Sequence, residues 1–150
     1  MKLTKNINHL TKKEFLSIFG NIFEKSDWIA NEVFNFKPFK DSNDLIMKMM
    51  NIYENSKDEM IIKIFNLHPQ LAIEKTLTSF SSKEQTGAKL NDCSKEELEE
   101  FERLNADYKR KFGFPFIIAV KGKNKSEILN NFRHRIKNNF KIEFDEAKIQ

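Results

Sequence analysis

The chain has 150 residues, of which 39% are hydrophobic and 32% charged, with a net charge of +4 and one cysteine. That is long enough for one domain with a buried core, too apolar for disorder, and without the run of ~20 apolar residues that a membrane-spanning helix needs. The lone Cys93 excludes an internal disulfide and fits a reducing, cytoplasmic setting; neither a secretory leader nor a peroxisomal tail is expected.

In chain order, Thr11-Lys12-Lys13-Glu14 has capping-box spacing, a hydroxyl three residues before a carboxylate. Phe15, Ile18, Phe19, Ile22 and Phe23 continue it as an amphipathic helix. Ser26 is the expected cap of a second helix carrying Trp28, Ile29, Val33 and Phe34, which Pro38 closes. A third helix runs from Asp41 to Tyr53 with Leu45, Ile46, Met49, Met50 and Tyr53 on its apolar side. The fourth starts at Ser56-Lys57-Asp58-Glu59, again a capping box, and turns Met60, Ile61, Ile64, Phe65 and Leu67 inward.

Pro69 ends that helix, because its ring clashes with an α conformation at the preceding residue and pushes His68 toward extended geometry. The imidazole therefore follows a carbonyl end, where the helix dipole favours the protonated form. Histidine is the side chain whose unperturbed pKa suits acid–base work near neutrality, so a ring held there is a candidate for proton transfer. The plainer reading is a structural histidine bonded to a carbonyl.

Ser81-Ser82-Lys83-Glu84-Gln85 follows, with Ser81 and Glu84 again at capping-box spacing and a helix N-terminus that can receive a polar ligand. Cys93 falls in the polar turn Asn91-Asp92-Cys93-Ser94 and is read as incidental. Ser94-Lys95-Glu96-Glu97 opens the longest helix, with Leu98, Phe101, Leu104 and Tyr108 facing inward and Gly113 as a left-handed stop. Phe114 to Val120 then reads as a buried extended run, too short for a helix between Gly113 and Gly122. With no sheet beside it, its N–H and C=O groups must be met by side chains, water or a ligand, which makes it a second site candidate. Ser126 is the expected cap of a helix with Ile128, Leu129, Phe132 and Ile136, and Ile142 to Gln150 begins one more. The expected fold is all-α, one domain over residues 1–150, a bundle of about eight helices with one short buried extended segment.

Charge is unevenly spread: Lys109 to Lys141 holds ten lysines and arginines against Glu127 alone. A small basic helical module that binds nucleic acid or an acidic protein is therefore the rival reading. His9, His68 and His134 are isolated, and no zinc motif, glycine-rich nucleotide loop or G-x-S-x-G elbow is present. An enzyme built from this chain is expected to need no metal and no organic cofactor.

Asn66-Leu67-His68-Pro69-Gln70-Leu71-Ala72, then Ser81-x-x-Glu84-Gln85, then the stretch from Leu104-Asn105 through Tyr108 to Lys111-Phe112-Gly113-Phe114-Pro115-Phe116 and Gly122 resembles the OHCU decarboxylase family in content and order. Trp28-Ile29-Ala30 and the basic helix around Arg133 to Asn138 extend the resemblance over most of the chain. The family implies an all-α fold, usually a homodimer, and cofactor-free conversion of 2-oxo-4-hydroxy-4-carboxy-5-ureidoimidazoline to S-allantoin and carbon dioxide in urate breakdown. By that resemblance His68 and Glu84 are catalytic. Ser81, Ser82, Lys83, Glu84 and Gln85 would bind the polar groups of the ureido arm and ring. Pro69 with Phe116, Ile117, Ile118, Ala119 and Val120 would line the substrate pocket. The resemblance also implies a substrate-contacting arginine about two turns beyond Gln150. The last helix is thus expected to lack its end, or Arg133, Arg135 or a neighbour to take over. A pseudoenzyme of the same fold is the intermediate reading.

Overall fold

The structure is a computed structural model that describes residues 7–72, 90 and 92–150. Its elements are α1 (Lys12–Phe19), α2 (Trp28–Val33), a 3₁₀ turn (Phe34–Phe36), α3 (Ser42–Glu54), α4 (Asp58–Leu67), α5 (Lys95–Phe112), α6 (Lys125–Arg135) and α7 (Phe140–Ile149). Among the described residues there is no strand, so the all-α expectation holds. No described helix is long and apolar enough to cross a membrane. The chain divides into two compact units, Met1–Leu67 and His68–Gln150.

In the first unit α2 packs on both α1 and α3. The fully buried Phe15 is its centre, with ring centroids of Phe34 and Phe39 at 5.3 and 5.9 Å. Burying a phenyl ring of that kind contributes about 1.5–3 kcal/mol. The Asn8 amide ties the start of the described chain to Phe39 as a strand partner would: Nδ2 donates to the Phe39 C=O and Oδ1 accepts from its N–H, both at 2.8 Å.

Local details depart from the sequence expectations for physical reasons. The Thr11–Glu14 capping box forms, but α1 ends at Phe19 with Gly20 as its cap, so Ile22 and Phe23 lie outside it and Ile18 faces solvent. Ser26 does not cap α2; its hydroxyl donates to the Glu24 C=O, and Asp27 stands at the cap position. In α3 a narrow stripe of Leu45, Met49 and Tyr53 is buried, whereas Ile46 and Met50 are exposed: the period is helical but the buried arc is thinner than the apolar one. Ser56 turns its hydroxyl back to the Ile52 C=O of α3 instead of forward to Glu59. Asn124, not Ser126, caps α6, in a capping box with Glu127.

In the second unit α5 packs on α6 and α7. Its capping box, Ser94 with Glu97, forms as expected, and Gly113 ends it at φ +78°. A Cβ at Gly113 would meet nothing within 4 Å, so Gly113→Ala isolates the cost of the left-handed backbone. That cost is about 1–2 kcal/mol. Thermal melts should show a Tm lower by roughly 3–6 °C for a chain of this size. An unchanged Tm would mean the turn can flip without consequence.

Candidate active site

Two segments named from the sequence lie in the second unit, and α5 holds both. The first is the turn after α4. His68 is half-buried, Pro69 and Leu71 are buried, and Ala72 takes the left-handed conformation at φ +60°. From α5, the Asn105 Nδ2 donates to the Leu71 C=O at 3.0 Å. Asn105 is only 2% exposed, and its Oδ1 has no hydrogen-bond partner among the described residues.

The second segment is the run after Gly113. Phe114, Phe116, Ile117, Ile118 and Val120 are buried and Ala119 is exposed. As expected of a run without a ladder, side chains meet part of its backbone: Arg135 Nη1 donates to the Ile117 C=O at 2.8 Å, Lys123 Nζ to the Ala119 C=O at 2.8 Å, and the Ala119 N–H donates to Gln150 Oε1 at 3.0 Å. The Phe116 ring is stacked on Phe132 at 4.0 Å and meets the Tyr108 ring edge-on at 5.3 Å. The Arg135 guanidinium lies 4.5 Å from the centre of the same Phe116 ring.

Behind this run is a buried ionic network that sequence reasoning missed. Glu143 is 0% exposed and Arg135 5%. Arg135 Nε and Nη2 donate to Glu143 Oε1 at 2.9 and 2.6 Å, the Tyr108 hydroxyl donates to the same oxygen, and Asn138 Nδ2 donates to Oε2 at 3.0 Å. Each carboxylate oxygen is met and the guanidinium is shared between Glu143 and Ile117, which is what a buried pair needs to offset its desolvation. The signal was present in the sequence: Arg135 continues the Ile128, Phe132 stripe of α6, and Glu143 sits beside Phe144 on the buried side of α7.

Burial, then the Glu143 carboxylate it faces, pushes the Tyr108 phenol far above its usual range; burial alone pushes Tyr53 up to about 12. A raised native pKa means the folded state holds the proton more tightly. The stabilisation is intact below the unfolded value near ~10 and is lost as pH rises above it. Since these are the two tyrosines of the chain, native protein should show little tyrosinate absorbance near pH ~10, where the urea-unfolded chain titrates. A phenol ionising near ~10 in the native protein would contradict this account.

The basic third of the chain is mostly occupied with the chain itself. Arg110 pairs with Asp107, Lys125 with Glu97, Arg133 with Glu100, Arg135 with Glu143 and Lys141 with Asp145, while Lys111 and Lys123 donate to backbone carbonyls. Arg133 and Arg135, the two arginines expected as possible substrate contacts, both have partners within the chain. Arg133 forms a two-bonded pair with Glu100 at 2.6 Å, and Arg135 is spent inside the network. Cys93 donates to the Leu90 C=O at 3.1 Å and burial raises its thiol, which fits the incidental reading. Ser81, Ser82, Lys83, Glu84 and Gln85 lie outside the described residues.

These features define a helical protein with a histidine turn and a buried extended run fixed to one long helix. The chain belongs to the OHCU decarboxylase family, which it matches over residues 8–150. It is 37% identical over 147 residues to a uric acid degradation bifunctional protein of Bacillus sp. (strain TB-90), a match covering 98% of this chain and 29% of that one. The chain thus spans under a third of that relative. It is 32% identical over 143 residues to a 2-oxo-4-hydroxy-4-carboxy-5-ureidoimidazoline decarboxylase of Haloferax volcanii, covering 95% of this chain and 85% of that one. It also superimposes on a crystal structure of OHCU decarboxylase in the presence of (S)-allantoin, with a TM-score of 0.70 and 25% identity over 86% of this chain and 85% of that one.

Proposed function

We propose that the chain decarboxylates 2-oxo-4-hydroxy-4-carboxy-5-ureidoimidazoline to S-allantoin, with His68 as the acid–base group. The observation that carries this reading is the half-buried His68, next to a buried Pro69, in a turn anchored to the helix that also backs the apolar run around Phe116. The Haloferax volcanii relative is named for this decarboxylation, and the superimposed structure was solved with (S)-allantoin present.

The chemistry asks little of the protein beyond placement and proton management. The bond from C4 to the carboxylate breaks and carbon dioxide leaves; the freed pair forms a double bond to the adjacent carbon while the C=N pair moves onto nitrogen, which takes up a proton. As the 4-hydroxyl becomes a carbonyl it gives up its proton, and a proton is delivered to the adjacent carbon from one face. His68 takes part in that transfer, and the handedness of the product follows from which face the donor occupies. Glu84, with Ser81, Ser82, Lys83 and Gln85, fixes the ureido arm. Pro69 and the run from Phe116 to Val120 form an apolar wall against the carboxylate, where loss of charge is favoured.

The test is to add the protein to freshly oxidised urate and follow circular dichroism in the allantoin band. Rapid appearance of the S enantiomer supports the reading, and a rate equal to the uncatalysed one removes it. We extend the reading to a homodimer in the cytoplasm, for which sedimentation of the purified protein is the check. The rival nucleic-acid module draws no support from the basic segment, since seven of its ten cations are paired or hydrogen-bonded within the chain.

A further inference from the structure

We propose that Asn105 is the positioning residue of the His68 turn, its amide N–H holding the Leu71 carbonyl three residues after the imidazole while the neighbouring Ala72 is kept in a left-handed conformation. Two independent observations carry this. The first is strain. Ala72 has φ +60°, which a residue with a Cβ adopts at a cost, and such strain persists where surrounding bonds over-determine the backbone. The bond from Asn105 to Leu71, at 3.0 Å and across 34 residues of sequence, is a long-range tether next to that strained residue.

The second observation is that Asn105 is a poor choice for stability alone. It is 2% exposed with its Oδ1 unmet, and a buried acceptor without a donor is a net cost. The amide cannot be turned round to remove the cost, because the Leu71 C=O needs a donor facing it. A leucine, with the same branched outline though somewhat larger, would remove the unmet acceptor from a helix face that already buries Leu104 and Tyr108. What leucine cannot do is hold Leu71. The residue is therefore better explained by what its donor end fixes than by what it adds to the core.

The consequence for catalysis rests on the reading of His68 as the acid–base group; the geometric claim does not. Asn105→Leu is expected to fold with a Tm somewhat below wild type, since the buried Leu71 carbonyl loses its donor, and to show kcat lowered ~10–100-fold with KM little changed, as a misplaced catalytic group does. Should the leucine variant fail to fold, Asn105→Ser, which keeps a shorter donor, is measured in the same way and should show a smaller loss of kcat. In parallel, the ring chemical shifts of His68 are compared in wild type and variant at one pH. A moved His68 resonance, with those of His9 and His134 unmoved, supports the proposal even if the wild-type protein proves inactive on the ureidoimidazoline. Unchanged His68 resonances, or full kcat in a folded variant, overturn it.

Discussion

Arg135→Ala is expected to cost about 3–5 kcal/mol, because it strands a carboxylate with no access to water. Glu143 is 0% exposed and receives two of its four hydrogen bonds from Arg135; the same substitution also leaves the Ile117 carbonyl without its donor. Set against a total stability of ~5–15 kcal/mol for a domain, that loss is a large share of the whole. Arg135→Lys recovers little, since a single ammonium cannot reach Glu143 and Ile117 together as the planar fork does. Changing both partners, Arg135→Met with Glu143→Leu, should be milder than either single change, as the buried charge is then gone. Urea titrations followed at the helical dichroism band measure all of these, with equal m-values as the check on two-state behaviour. A loss below ~1 kcal/mol for Arg135→Ala would show that water or a rearranged partner reaches Glu143.

His68→Asn should reduce turnover of the ureidoimidazoline by ~10²–10⁴-fold, the range general acid–base groups supply. Asparagine keeps a polar side chain at the half-buried position but cannot carry a proton back and forth. Its stability should differ little from wild type, so the loss belongs to the chemical step and appears in kcat more than in KM. Unchanged turnover in a folded His68→Asn protein removes the imidazole from the mechanism and leaves Glu84 as the group to examine.

How much of this was legible in the sequence depends on whether the controlling interaction is local. Capping boxes at Thr11 and Ser94 were readable because hydroxyl, spacing and carboxylate lie within one turn. The simple caps expected at Ser26 and Ser126 failed because a neighbour, Asp27 or Asn124, stands at the cap position, and residue type alone does not rank adjacent candidates. The extended run after Gly113 was readable from its flanking glycines and apolar content. Its tethers were not, because Arg135 and Gln150 reach it from 18 and 31 residues away. For the same reason Asn105, between Leu104 and Tyr108 in the quoted motif, carries no role that the sequence makes visible. Its importance lies in a contact 34 residues back along the chain. The family resemblance supplied the roles of His68 and of the segment from Ser81 to Gln85; periodicity alone left His68 as either structural or functional.

Asn105 and Tyr108 stand three apart on α5, one touching Leu71 and the other Phe116 and Glu143. Adding or deleting a single residue between them would swing one away from its contact by about 100°, because each helical position advances by that angle. This helix therefore works as a gauge of fixed pitch, and changes in chain length that leave both contacts intact have to fall ahead of Asn105 or beyond Gly113.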